Sequence, residues 1–453
     1  MEERPEPERR LASPPFALRA RLLSPTADGG VLDEYDGLVV VDERGRIARA
    51  GRWPGRSAPK GVIDIRPMVV LPGLVDLHAH LPQLPNAGLG SGLDLLTWLH
   101  RYIFPLERAY GRRTAERTAP AAFRAFAAAG TTTLMAYAAI WPESTDAAFA
   151  AAERHGIRAV IGKVMMDRIT YDATIAPDEI LETSLAQSDE LASRWHGRDE
   201  GRLRYAFTPR FAVSCTADML RESAALANRH GAYWQTHLSE DVDEIDEVRR
   251  LFPEATDYLD VYDRAGGVGE RTILAHAIHL DEREIRRLAE SGAGVAHCPA
   301  SNLFLSSGMM PLGAYLAAGV RVGLGSDVAA GPEVSIFTVM RAGAVTQRVL
   351  ELTGRADRSL ALKPIDWLRL GTLGGARALG IDDVTGSIEP GKEADLIAVD
   401  PRMTTPLYGD RPRTASADDV LSRLIFRPHP NMVRAAWVRG RLLAGPPGLD
   451  AIG

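Results

Sequence analysis

Cysteine is almost missing from this chain of 453 residues: Cys215 and Cys298 are the only two. A pair that far apart builds neither a disulfide framework nor a cysteine-based zinc site, so a reducing compartment is expected. Both read as small buried apolar residues. Long apolar runs are missing as well. No stretch approaches the ~20 uninterrupted apolar residues of a membrane helix, and no membrane partner is expected. An excess of positive charge is also lacking, with 53 Lys and Arg against 59 Asp and Glu and a net charge of −6. Nucleic-acid binders need clustered cations to neutralise phosphates, so no nucleic-acid partner is expected either. The opening MEERPEPERRLASPP has no apolar core of a signal peptide. It reads as a disordered tail over residues 1–15 on a cytoplasmic protein.

What is present is an ordinary globular composition, 45% hydrophobic and 25% charged. The length suits a (β/α)₈ barrel of the TIM type with an accessory domain. Residues 16–68 carry short β-branched runs between Asp/Gly turns, and β character returns over 388–453 in EADLIAVD and MVRAAWVRGRLLAG. The economical arrangement is one small β-sandwich domain built from both chain ends, with a barrel over 69–387 inserted between them. In that middle part apolar runs alternate with amphipathic stretches, the pattern of βα units and a parallel sheet. Eight runs qualify as strands: MVVLPGLVDLHAH, GTTTLMAY, RAVIGKVMMD, LRYAFTPRF, AYWQTHLSE, TILAHAI, GAGVAHCP and VRVGLGSDV. A doubly wound open sheet would give the same local patterns. Among the helices, ADMLRESAALANRHG ends in the Gly expected at a helix C-terminus.

The metal-binding residue types fall at the ends of these strands. His78 and His80 close the first as His-x-His, and alternation points both imidazoles to the same side. His237 ends the fifth run, His276 the sixth and Asp327 the eighth. A closed barrel would gather all of them at one mouth. A single strand-end histidine is more often a hydrogen-bonded structural residue, and His297 in AHCPASN is read that way. Five matching residues at successive strand ends do not fit that bland explanation. Three histidines and a carboxylate suit one Zn²⁺ or Fe²⁺ with a place left for water. Glu240, three residues after His237 in HLSE, is placed to act as general acid and base beside such an ion. Its structural alternative is a solvated loop, since EDVDEIDE is acidic throughout.

In order, LPGLVDLHAH, GTTT, THLSE, LAHAIHL, AHCPASN and GLGSDV resemble the amidohydrolase superfamily. The likeness runs from about residue 69 to 335 and on into GSIEPGKEADLIAVD. It implies a single metal held by His78, His80, His237 and Asp327, with His276 orienting water and intermediate. Binuclear members carry a bridging Lys at the end of the fourth strand; LRYAFTPRF has none. Around the site, the segments HLPQLPNAG, LLTWLHRYIFPLE, IGKVMMD, TPRFAVSC and SNLFLSSG are similar to the guanine deaminase family. That resemblance implies a purine substrate, with Gln83 on the purine edge, Arg210 on a ring carbonyl, Phe211 lining the ring pocket and Trp98 walling it. It also implies a homodimer. An arginine offers only donors, which suits a carbonyl and disfavours an amino group.

The expected reaction is hydrolytic deamination of guanine to xanthine and ammonia. Asp327 and His276 take a proton from water and Glu240 passes one to the ring. Another aminated heterocycle (a pterin, an s-triazine or an adenine-type nucleoside) is the alternative, and a non-catalytic scaffold of the same fold is a more remote one.

Overall fold

The computed structural model describes residues 10–169, 174–176, 178–405 and 415–449. The chain opens with four strands: β1 (Phe16–Pro25), β2 (Val31–Val41), β3 (Ile47–Arg52) and β4 (Ile63–Pro72). Barrel strands follow: β5 (Leu74–His80), β6 (Thr131–Tyr137), β7 (Arg158–Gly162), β8 (Val164–Met165) and β9 (Leu203–Pro209). Then come β10 (Tyr233–Leu238), β11 (Thr272–His276), β12 (Gly294–His297) and β13 (Arg321–Leu324). The chain closes with β14 (Leu396–Val399), β15 (Val433–Val438) and β16 (Arg441–Leu442).

β5, β6, β7 and β9 to β13 pair in sequence order, all parallel, with β8 a short continuation of β7. Several of these strands are buried along their whole length, as in β5, β6 and β10, because helices cover one side and packed side chains fill the other. The barrel closes between the first and last strands. The Asp327 N–H donates to the His78 carbonyl (2.7 Å) and the His80 N–H to the Val328 carbonyl (3.0 Å). Below them the buried Asp76 carboxylate accepts from the Ser326 N–H (2.9 Å) and hydroxyl (2.6 Å). The open-sheet alternative is thereby excluded.

The two chain ends form one seven-stranded sheet in the order β16-β15-β14-β4-β1-β2-β3, antiparallel except between β1 and β4. It has its own core around Leu18, Val70, Leu396 and Trp437. Arg158, at the start of β7, ties this sheet to the barrel through buried ion pairs with Glu393 (2.5 Å) and Asp395 (2.9 Å). Arg439 joins the same Glu393 carboxylate at 2.8 Å. No helix among the described residues is long and apolar enough to cross a membrane.

Several expected boundaries shift. MVVLPGLVDLHAH is two strands, not one, and the break is Gly73. The Gly73 N–H donates to Asp395 in the small domain (2.9 Å), and the next N–H, of Leu74, donates to Gly130 beside the barrel (3.0 Å). β4 therefore carries the small sheet past residue 68. RAVIGKVMMD breaks at Lys163, and the last barrel strand ends at Leu324, before Asp327. Residue 11, inside the tail expected over 1–15, is packed into the fold: Leu11 is fully buried and its carbonyl accepts from the Trp437 indole (2.8 Å). Residues 1–9 of that tail lie outside the described residues.

Candidate active site

His78 and His80 come from β5 with both imidazoles on the barrel axis side. Their Nε2 atoms lie 3.2 Å apart, and the His237 Nε2 is 3.4 Å from that of His80. One oxygen of Asp327, Oδ1, stands 3.2 Å from both His78 Nε2 and His80 Nε2. Donor atoms of His78, His237, His276 and Asp327 all fall within 4.8 Å of one another. His80 is not part of that mutual set, although it is nearer to three of its members than the set is wide. His276 is the outlying imidazole, with its Nε2 3.8 Å from Asp327 Oδ2 and 3.4 Å from Glu240 Oε2. The shorter separations make His78, His80, His237 and Asp327 the compact donor group, with His276 between it and Glu240.

Ring orientation follows from what the other nitrogens do. The His237 Nδ1–H donates to the Arg210 carbonyl (2.7 Å), and the His276 Nδ1–H donates to Asn302 Oδ1 (2.9 Å). Each bond fixes the tautomer and leaves Nε2 with a lone pair facing the centre. Ser301 donates to Asp327 Oδ2 (2.5 Å), which reserves Oδ1 for the centre. Burial pushes His78 down to about 4 and His237 well below the ordinary imidazole value. Burial alone would raise Asp327, but the His78 and His80 imidazoles hold it well below the usual carboxylate range. Neutral rings around an ionised carboxylate are the protonation states a divalent cation requires. The Nε2 of His276 has no hydrogen-bond partner among the described residues. Imidazole nitrogens and a carboxylate oxygen converging in one buried site are the donor types a divalent cation takes, so the set fits a metal.

The strand ends are bent to this purpose. Ser239, His276, Ala277 and Asp327 all have positive φ, between 46° and 70°. Each costs on the order of 1–3 kcal/mol for a side-chain-bearing residue, and such strain gathers at functional sites.

Glu240 is 2% exposed, so the solvated-loop alternative does not describe it. Burial, reinforced by the Asp327 carboxylate, raises its carboxyl well above the ordinary range. It lines a cavity with about 350 Å³ of space free of protein atoms, continuous in part with solvent. Gln83, Trp98, Arg210 and Phe211 share that lining with His80, His237 and Asp327. His297 ends β12 outside the donor group, and burial lowers it to about 3. Cys215 and Cys298 are buried free thiols, and burial pushes Cys215 up to about 12.

Sequence reasoning missed three residues. Ser301 and Asn302 stood inside AHCPASN, where their offset from the histidines gave no sign of which atoms they would meet. Glu107 ends LLTWLHRYIFPLE and is fully buried, bonded to both Gln83 and Arg210. A glutamate at helical spacing from Ile103 and Phe104, on their apolar face, was the available signal.

Fold and site together define a barrel hydrolase of the amidohydrolase type. The profile of the amidohydrolase family matches residues 69–443. A guanine deaminase of Escherichia coli (strain K12) is 37% identical over 418 residues, covering 90% of this chain and 91% of that protein. The chain belongs to the amidohydrolase family and, within it, to the guanine deaminases. Among solved structures, a guanine deaminase from C. acetobutylicum with guanine bound in its active site is 28% identical with a TM-score of 0.86. That match covers 94% of this chain and 99% of the other. An adenosine deaminase from Xanthomonas campestris with bound zinc is 29% identical with a TM-score of 0.80, covering 95% and 93%.

Proposed function

We propose that the protein hydrolyses guanine to xanthine and ammonia with one zinc ion per chain. Support comes from the family membership and from one feature of the cavity: the donor-only guanidinium of Arg210 lies beside Gln83, in the same lining as Glu240. A ring carbonyl accepts from those donors, while the amino group of an adenine ring would set donor against donor, at about 1–3 kcal/mol.

In this reading His78, His80, His237 and Asp327 hold the ion. When bound, it would lower the pKa of water to roughly 7 and so supply the nucleophile at neutral pH. The remaining steps belong to the chain's own side chains. Asp327, with His276 beside it, accepts the proton released as water adds to C2. Glu240, whose buried carboxyl holds a proton, gives it to ring N3 and so makes C2 more electrophilic. Left ionised, the same carboxyl takes up the second proton of the added water and hands it to the leaving amine, and the proton held by Asp327 restores Glu240 for the next cycle. Phe211 and Trp98 flank the ring and exclude water. A purine-catabolic role, a homodimer and a cytoplasmic setting complete the proposal.

Steady-state turnover tests it directly: guanine absorbance falls as xanthine absorbance rises, with one ammonia released per ring. Release of ammonia from adenosine or a pterin but not from guanine overturns the substrate assignment.

A further inference from the structure

Glu107 is absent from the reaction just described, yet it is a buried carboxyl bonded to two residues of the cavity lining. It is fully buried on the short helix Phe104–Arg108. Its Oε1 accepts from the Gln83 Nε2 (2.8 Å) and its Oε2 pairs with the Arg210 Nη1 (2.5 Å). Phe104, one turn earlier on the same helix, lies under the Arg210 guanidinium, 5.4 Å from its centre. One helix turn therefore holds both Gln83 and Arg210 in the pocket wall.

The consequence concerns which end of the Gln83 amide meets the ligand. A carboxylate paired with a guanidinium only accepts, so it must face the amide NH₂ and not the amide oxygen. The orientation is dictated by chemistry, not by the near-identical shapes of the two amide ends. Gln83 Oε1 is then the end left over, and it is buried with no hydrogen-bond partner among the described residues. The wall thus presents a lone acceptor from Gln83 beside donors from Arg210.

We infer that Glu107 is a positioning residue that sets ring selectivity by locking the Gln83 amide, so that the pocket reads a carbonyl next to a ring N–H. This rests on the guanine reading above and narrows it to the O6/N1–H edge. Rings with an amino group beside a bare ring nitrogen offer the reverse pattern: the amine meets Arg210 donors and the nitrogen lone pair meets Gln83 Oε1. Without the carboxylate, the Gln83 amide can turn over and the pocket loses its sense of direction.

The experiment compares guanine with 2,6-diaminopurine, which keeps the 2-amino group but reverses that edge. Metal-loaded Glu107→Gln is expected to lower kcat/KM for guanine by about tenfold or more, chiefly through KM. The guanine-to-diaminopurine preference should fall by a similar factor. Glu107→Asp retains the carboxylate, so it should weaken guanine less and keep the preference. Parallel loss for both rings in Glu107→Gln, or no loss at all, overturns the inference. If that variant does not fold, a Glu107→Asp protein with unaltered KM for guanine does so instead. Calorimetric titration of the wild type with hypoxanthine and adenine separates the two readings, since neither carries the 2-amino group. Equal binding sinks the edge-reading role even where guanine is turned over. Tighter hypoxanthine binding upholds it even where guanine is not.

Discussion

The backbone carbonyl of Arg210 accepts the Nδ1–H of His237 at 2.7 Å, while the Arg210 guanidinium faces the cavity wall. One residue thus orients an imidazole at the donor cluster with its main chain and lines the cavity with its side chain. In the proposed reaction, the spacing between ion and ring would be set by a peptide unit at the end of β9.

Glu240→Gln should retain metal and lose turnover by about 10²–10⁴-fold, because the amide keeps the shape of the group but cannot shuttle a proton. Metal content by elemental analysis and guanine turnover are measured on the same preparation. A variant within a few-fold of wild type removes Glu240 from proton transfer.

Ser301→Ala frees Asp327 Oδ2 from the hydroxyl that engages it at 2.5 Å. Supporting bonds of this kind are worth about 10–100-fold in metal affinity or activity. Competition against a zinc chelator should show a loss in that range, with Asn302→Ala acting likewise through His276. Unchanged affinity in both would mean that the donor group orients itself.

Stripping the protein with a chelator should abolish turnover and lower Tm, and added Zn²⁺ should restore both. An ion that binds only the folded chain stabilises it by mass action. Full activity in a demonstrably metal-free sample is incompatible with the proposed chemistry.

Arg158 sits between Glu393 and Asp395 where the small sheet meets the barrel, and burial opposes the pairing. Burial also works against Glu393, but Arg158 and Arg439 hold its pKa below the ordinary 4.5. A depressed carboxyl contributes stability that is fully present above 4.5 and is lost as pH falls through its lower folded value. Thermal melts between pH 7 and pH 3 should therefore lose less stability on acidification in Glu393→Gln than in the wild type. Arg158→Met, which takes the guanidinium from the buried Asp395 and leaves Glu393 to Arg439, should cost about 3–5 kcal/mol at neutral pH. Identical acid profiles for wild type and Glu393→Gln would refute the linkage.

Gly73→Ala should destabilise by about 1–3 kcal/mol, the range for overpacking. The added Cβ would stand 2.0 Å from Thr132 Oγ1 and 2.5 Å from Thr132 Cγ2, in a backbone with no slack. Denaturant midpoints measure the loss, and Thr132→Ala in the same chain should recover part of it. A neutral single substitution would show that the joint can move.

Much of this was legible in the sequence because strand period and residue type act locally. His78 and His80 share a face by alternation alone, and the helix Ala217–His230 stops at Gly231, whose φ is 62°. Boundaries were harder. Nothing in the apolar run around Gly73 distinguishes a strand that changes sheets from one that continues, since both halves are equally buried. Asp327 was assigned to a strand end but lies in the turn beyond it, because φ = 47° is a tertiary outcome. Glu107 was hidden for a related reason: its partners come from the loop after β5 and the end of β9, and no local pattern relates them.

The bond between Asp327 and His78 joins the last barrel strand to the first, so the donor cluster has no meaning for a half-made chain. His78 and His80 leave the ribosome well before Asp327 is translated, and until the ring of strands is shut they are two histidines on an unpaired edge. Capture of a cation by the full donor group would therefore report completed assembly. A truncated or stalled product is inert as a hydrolase by construction, with no separate safeguard needed.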